Sequence, residues 1–292
     1  MAMTPQALVR STEHLLSLPD AALRINQLID RPSTRPEDLA EVILCDPALS
    51  ARLLRLVNSA YYSRPRPIDT VSQAIQLIGF DALRNLVIAT HAVDMFKGLP
   101  PDKINMERFW FHGVACGIAA RELALHKYIP DGERLFIAGL LHALGKLMFF
   151  SQQATVYLQV LKLIERDGID VVIAEERVFG FNYADLGAEL LRSWRFPDSI
   201  WQTVAYHLNP AQAKTYRLET EILHGAAQVA SIMQSSTIDV GSALATSVSE
   251  MLHQLALSLQ LKPQTLAELP AEISERVVDV FNVLIPGSQL TD

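Results

Sequence analysis

The residues Leu140 to Leu147, LLHALGKL, come within one side chain of a metal-hydrolase signature. A His followed directly by Asp would place an imidazole beside a carboxylate. The carboxylate neutralises a cation and can bridge two, while the metal lowers the pKa of bound water. Successive helix residues point about 100° apart, so such a pair reaches one ion only where several helices converge. Here Ala143 follows His142. The next pair, Gly145-Lys146, suits a helix C-terminal region with a Lys whose head seeks solvent. No Ser-His-Asp order, phosphate loop or dinucleotide glycine pattern supplies a second catalytic system. The densest basic cluster is Arg52 and Arg55 followed by Arg64 and Arg66. It reads either as a solvated helix face or as a surface for an anion or an acidic partner.

The elements that must position these residues are helical. Half of the 292 residues are hydrophobic, 7% aromatic and 20% charged, a balance that suits a helical protein rich in Leu, Ala, Ile and Val. Thr34 and Glu37 form a capping box around Pro36, and Asp46-Pro47 opens a helix whose Leu49, Leu53, Leu56, Val57 and Ala60 make one apolar stripe. Thr70 and Gln73 repeat the box before a stop at Gly79, and Asp81 caps the next helix. Asn58 and Ser59 are expected to fix the turn after their helix through backbone hydrogen bonds. KGLPPDKINMERFW interrupts the pattern and marks a boundary near residue 100. Beyond it a long helix carries FWFH, and RLFIAGLLHALGKLMFF reads as one further helix. Six more follow, broken at Gly168, Gly180 and Pro197, the last two around ETEILHGAAQVASIM and AEISERVVDVFNVLI. The fold class is therefore all-α, with residues 1–100 as one lobe and 101–292 as the other. Trp110, Trp194 and Trp201 are expected to anchor packing in the second lobe.

A net charge of −7 leaves no basic footprint for nucleic acid, and no recognition helix appears, so DNA is not an expected partner. The two cysteines, Cys45 and Cys116, form neither a CxxC nor a disulfide framework, which fits a reducing compartment. The first twenty residues lack a basic region followed by an apolar one, and His142 and Lys146 interrupt the most apolar stretch. A cytoplasmic protein without membrane association is the expectation.

Taken together, LLSLPDAALRINQLI, the Asp46-Pro47 pair, the Asn58-Ser59-Ala60 triplet, AIQLIGFDALRNL and the second-lobe runs FWFHGVACGIAARELA, FIAGLLHALGKL and ILHGAAQVA resemble the HDOD family. This is the HD-related output domain of bacterial signalling proteins, and the resemblance covers roughly residues 15 to 235. It implies a helical lobe in front of a second lobe similar to HD-domain phosphohydrolases. It also implies a ligand constellation in which His112, His142 and His207 are retained. Ala143 stands in place of Asp, Tyr183 in place of a frequent His, Leu208 in place of a second His, and Ala227 in place of Asp.

The expected site is a degenerate one with no catalytic residue and no cofactor. His112, His142 and His207 are the remaining metal candidates, and three imidazoles can in principle hold zinc with an open fourth position. Asp185 and Glu189, near Tyr183, are further candidate ligands. The resemblance implies a non-catalytic signalling module that contacts other signalling proteins. Since no receiver or cyclase signature accompanies it, its input is expected from a separate partner or ligand. The alternatives are a metal-dependent phosphohydrolase acting on a nucleotide or cyclic dinucleotide, and a non-catalytic nucleotide-binding sensor.

Overall fold

The computed structural model describes residues 3–12, 20–62, 66–96, 99, 104–130, 132–235 and 242–287. Among them every regular element is helical, as the periodicity predicts. The chain divides into two compact units, Met1–Leu16 with Gly98–Ala271, and Ser17–Lys97 with Glu272–Asp292. One crossing between the units lies at Lys97/Gly98, and both chain ends group with the unit farther from them in sequence. At the front, α1 (Pro5–Ser11) joins the later unit, where the Gln6 amide donates to Glu189 at 3.3 Å. At the back, the Ala60 N–H donates to Asp279 at 3.3 Å in the smaller unit.

The smaller unit contains α2 (Asp20–Ile29), α3 (Pro36–Leu44), α4 (Pro47–Val57), α5 (Val71–Ile78) and α6 (Phe80–Met95). Ile25, Leu39, Ile43, Leu53, Leu56, Ile75 and Leu83 fill its core. Asp46 caps α4 by accepting from the Ala48 and Leu49 N–H groups, and Leu49, Leu53, Leu56 and Val57 are buried as the stripe requires. Ala60 is half-buried. Asn58 ties the end of α4 to the following loop. Its amide donates to Leu54 O and Ile68 O while its carbonyl accepts from Ile68 N.

Three caps differ from expectation. Arg35 is the N-cap of α3, with Asp38 accepting from its N–H, while the Thr34 hydroxyl turns back to Leu28 O. Thr70 accepts from Gln73 N, but the reciprocal half of that box does not form. Gly79, at φ +81°, caps α6, and Asp81 sits inside its first turn. In each case the chain direction at the turn selects the cap, and spacing alone does not report it.

The larger unit holds α7 (Met106–His126), α8 (Gly132–Leu141), α9 (Leu144–Gln152), α10 (Ala154–Asp167), α11 (Val171–Phe179), α12 (Tyr183–Ser193), α13 (Asp198–Tyr206), a short 3-10 turn at Pro210–Gln212, α14 (Arg217–Ser235) and α15 (Ser242–Leu259). The last of these was not anticipated from the sequence. A final helix, α16 (Pro263–Leu284), contains Pro270 beside the division between the units. The stretch expected as one helix is two, because the chain turns at His142 and Ala143. Gly132–Gln152 meets the length and hydropathy of a membrane-spanning helix, yet 78% of its most apolar window is buried inside the protein.

Small residues set the spacing here. A Cβ on Gly139 would lie 2.6 Å from the Gly117 Cα, and one on Gly113 would lie 2.7 Å from Leu140 O, so α7 and α8 touch backbone to backbone. A Cβ on Gly145 would overlap the Tyr183 carbonyl oxygen and approach Gly187 N at 2.8 Å. Since backbone cannot retreat as a side chain can, Gly145→Ala is expected to cost at least about 3 kcal/mol in denaturant unfolding. Gly168→Ala, at φ +63° with open space around it, is expected to cost only about 1–2 kcal/mol. Equal losses would show that backbone contact at Gly145 is not the constraint.

Candidate functional site

The turn between α8 and α9 carries His142 into the middle of the larger unit, where it is fully buried. Its Nδ1 lies 2.6 Å from Gly139 O. A carbonyl only accepts, so Nδ1 holds the proton and Nε2 is left as an acceptor. His207, at the C-terminal cap of α13, repeats the arrangement with Val204 O at 2.6 Å, and its Nε2 accepts from the Tyr183 hydroxyl at 3.3 Å. His112 comes from α7. Ring centroids are 5.3 Å apart between His112 and His142 and 5.2 Å between His142 and His207. The fold thus brings together the three histidines that sequence resemblance singled out.

Tyr183, the first residue of α12, completes the group. Its ring is 5.8 Å from that of His207 and lies under the Lys146 ammonium, 4.3 Å from Nζ to the centroid. Lys146 is therefore not the solvent-seeking residue of a helix end. It occupies the first turn of α9 and points into the site. Tyr183 is held by Glu175, which accepts its N–H at 2.7 Å and the Tyr157 hydroxyl at 2.7 Å. Glu175 is fully buried and was not legible as a site residue, since the sequence places it eight positions away in another helix. His224 was also missed. Its Nδ1–H donates to His207 O at 2.8 Å and its Nε2 accepts from the Gln228 amide at 2.8 Å.

These side chains line a cleft of about 730 Å³, together with Ala143, Leu208, Ala227, Arg108 and Asp170. Asp185 and Glu189 are engaged elsewhere. Asp185 accepts from Asn182 N in the α12 capping box, and Glu189 pairs with Arg192 and accepts from Gln6. Trp110 and Trp194 are buried packing residues, whereas Trp201 is half-buried and donates to Asp198. In the smaller unit Arg52 makes a two-pronged pair with Asp94 at 2.8 and 3.2 Å, which withdraws it from a free basic face. Arg55 and Arg66 are exposed, and Arg64 lies outside the described residues.

Burial governs the titration of the site. It pushes the imidazoles of His112 and His207 down to about 4 and that of His142 well below its ordinary range, with the Lys146 charge adding to each shift. Burial lowers Lys146 as well, opposed by Glu175 and Asp170, and raises Glu175 to about 7. A catalytic metal pair does not fit this donor set. A divalent ion would meet neutral imidazoles and a nearby ammonium, with Ala143 and Ala227 beside them and Asp170, which already accepts the Val172 N–H, as the one carboxylate among the described residues lining the cleft. Among the described residues no group of three or more His, Cys, Asp or Glu is arranged to hold a metal ion.

A family model described as the HDOD domain matches residues 15–210. An uncharacterised protein of Treponema pallidum (strain Nichols) is 26% identical over 195 residues, which are 66% of this chain but 37% of that relative. The chain therefore spans well under half the length of the relative. Among solved structures, one from Shewanella amazonensis SB2B, whose provisional name is phosphohydrolase, has a TM-score of 0.76 at 24% identity, covering 96% of this chain and 98% of that one. Another, from Marinobacter aquaeolei VT8 and provisionally named a signal transduction protein, has a TM-score of 0.66 at 19% identity, covering 97% of this chain and 67% of the other. At these identities both likenesses concern the fold.

The depressed imidazoles make a pH signature. Between pH 6.5 and about 4 the unfolded histidines hold protons that the buried ones do not, so stability is present above 6.5 and drains away as pH falls. Glu175 acts in the opposite sense: its contribution is present below 4.5 and is lost as pH rises through about 7. Three histidines outweigh one glutamate, so acidification below pH 6.5 is expected to lower the unfolding free energy, by about 3 kcal/mol for His207 alone at the acid end. Denaturant unfolding measured against pH checks this, and His207→Asn should flatten the curve.

Proposed function

The chain belongs to the HDOD family, and from that premise we propose that it is a non-catalytic cytoplasmic signalling module whose output is made through contacts with other proteins. The observation that carries the non-catalytic part is the chemistry of the cleft. Hydrolysis of a phosphate ester by a metal pair needs anionic ligands that hold two cations close together and sharpen the acidity of water. Here the positions in question carry Ala143, Ala227, Leu208 and Tyr183, and the Lys146 ammonium occupies the same cleft. What is left is a polar core in which His207, Tyr183 and Glu175 satisfy one another. The signalling part is supported by the family and by its output role, with partners expected among other signalling proteins.

One observation favours a second reading, a metal-dependent phosphohydrolase. The Nδ1–H groups of His142 and His207 are fixed on backbone carbonyls, the arrangement that orients a ligating imidazole. The two readings separate in one experiment. The protein is incubated with Mn²⁺ or Zn²⁺, dialysed, and analysed for metal per chain and for turnover of bis(p-nitrophenyl) phosphate. Substoichiometric metal and no turnover above buffer, in the native chain and in His142→Ala alike, is the expected result. Stoichiometric metal with turnover, both lost in His142→Ala, would establish the hydrolase instead.

A further inference from the structure

The cleft of the larger unit contains polar groups that the protein itself leaves unmatched. Lys146 is half-buried, and among the described residues its ammonium has neither a hydrogen bond nor a direct ion pair. Its one close partner is the face of Tyr183, 4.3 Å away. His142 Nε2 is an acceptor with no donor among the described residues, because its ring is committed at Nδ1 to Gly139 O. The Nδ1 of His112 is buried and also has no partner. Leaving the buried His112 Nδ1 unmet is costly, while Lys146 feels Glu175 and Asp170 only at a distance and keeps its donors free for a ligand in the cleft. All three face one cleft of about 730 Å³, the size of a small-ligand site.

We propose that this cleft binds a small hydroxylated organic oxyanion, a phosphate monoester or a carboxylate, with the charged oxygens on Lys146 and ligand hydroxyls donating to the histidines. The chemistry follows from what each group lacks. An ammonium with its donors unused takes anionic oxygen. The neutral His142 imidazole, whose one proton is already given to Gly139 O, takes a hydroxyl or amine proton and gives nothing back to an anion. A ligand that carries both kinds of group satisfies the set, while a bare anion satisfies only Lys146. Arg108 lines the same cleft and adds a second positive charge, and Asp170 is the one carboxylate among the described residues lining it. Asp170 is itself engaged in accepting the Val172 N–H at 2.7 Å. The inference rests on the non-catalytic reading, because the ligand is held and released unchanged and thereby becomes an input to the module.

The test is calorimetric titration and thermal unfolding of the full chain with three probes: ribose 5-phosphate, gluconate and uncharged ribose. Saturable binding of one acid and not of ribose is expected, and which acid binds distinguishes phosphate from carboxylate. Lys146→Met should weaken that binding by about tenfold or more. Because a core substitution can harm folding, Ser231→Asp provides a second arm. It places a negative charge on the cleft wall at an exposed position and should weaken the same acid. Binding of neither acid, or binding that both variants leave unchanged, overturns the inference and leaves the non-catalytic reading standing. Release of inorganic phosphate from bound ribose 5-phosphate would instead overturn the non-catalytic reading while leaving the site itself in place.

Discussion

Backbone contact between helices is the constraint on which the larger unit depends. α7 meets α8 at Gly113, Gly117 and Gly139, and α9 meets α12 at Gly145 and Gly187. At these points main-chain atoms of one helix lie where a side chain would otherwise stand. Packing at this spacing lets short side chains from four helices reach a common point, and it brings His112, His142, His207 and Tyr183 into one cluster with ring separations of 5.2 to 5.8 Å. A methyl group at Gly145 would meet the Tyr183 carbonyl and the Gly187 amide, so α9 and α12 would have to shift where Tyr183 begins. The glycines therefore act on the site without touching it.

The cluster is a polar core held in its neutral form. Two imidazoles spend their proton on a carbonyl three residues earlier, at the last turn of their own helices. Burial and the Lys146 charge then make a second proton unfavourable. The same low-dielectric surroundings act on Glu175 in the opposite direction, favouring its protonated form up to neutral pH, while Tyr157 and the start of α12 supply it with donors. In the proposed reading, the Lys146 ammonium in the cleft favours an anion there.

Much of this was legible in the sequence, and the remainder was hidden for identifiable reasons. The LLHALGKL run shows an alanine directly after His142, and the Asn58-Ser59 pair announces a fixed turn, because each depends on residues close along the chain. The stripe from Leu49 to Val57 reports its buried face directly. The helix break at His142-Ala143 was masked by an unbroken apolar pattern, since periodicity records which residues are buried and not whether the axis continues. Lys146 looked like a surface residue because Lys is usually one. Its burial depends on Tyr183, 37 positions later. Glu175 and His224 were silent because neither falls in a recognisable spacing with its partner.

The sequence by itself determined the helical class, individual caps such as Asp46, and which residue types stand at the positions of the cluster. These are properties of composition, short-range spacing and residue type, and they survive in a linear reading. Only the tertiary structure decided which chain ends belong to which unit, that Arg52 is spent on Asp94, and that Lys146 and His142 face a common cleft with unmet hydrogen-bonding capacity. Those outcomes depend on the distance between helices and on the electrostatic cost of burial, and both are set by contacts between residues far apart in the chain.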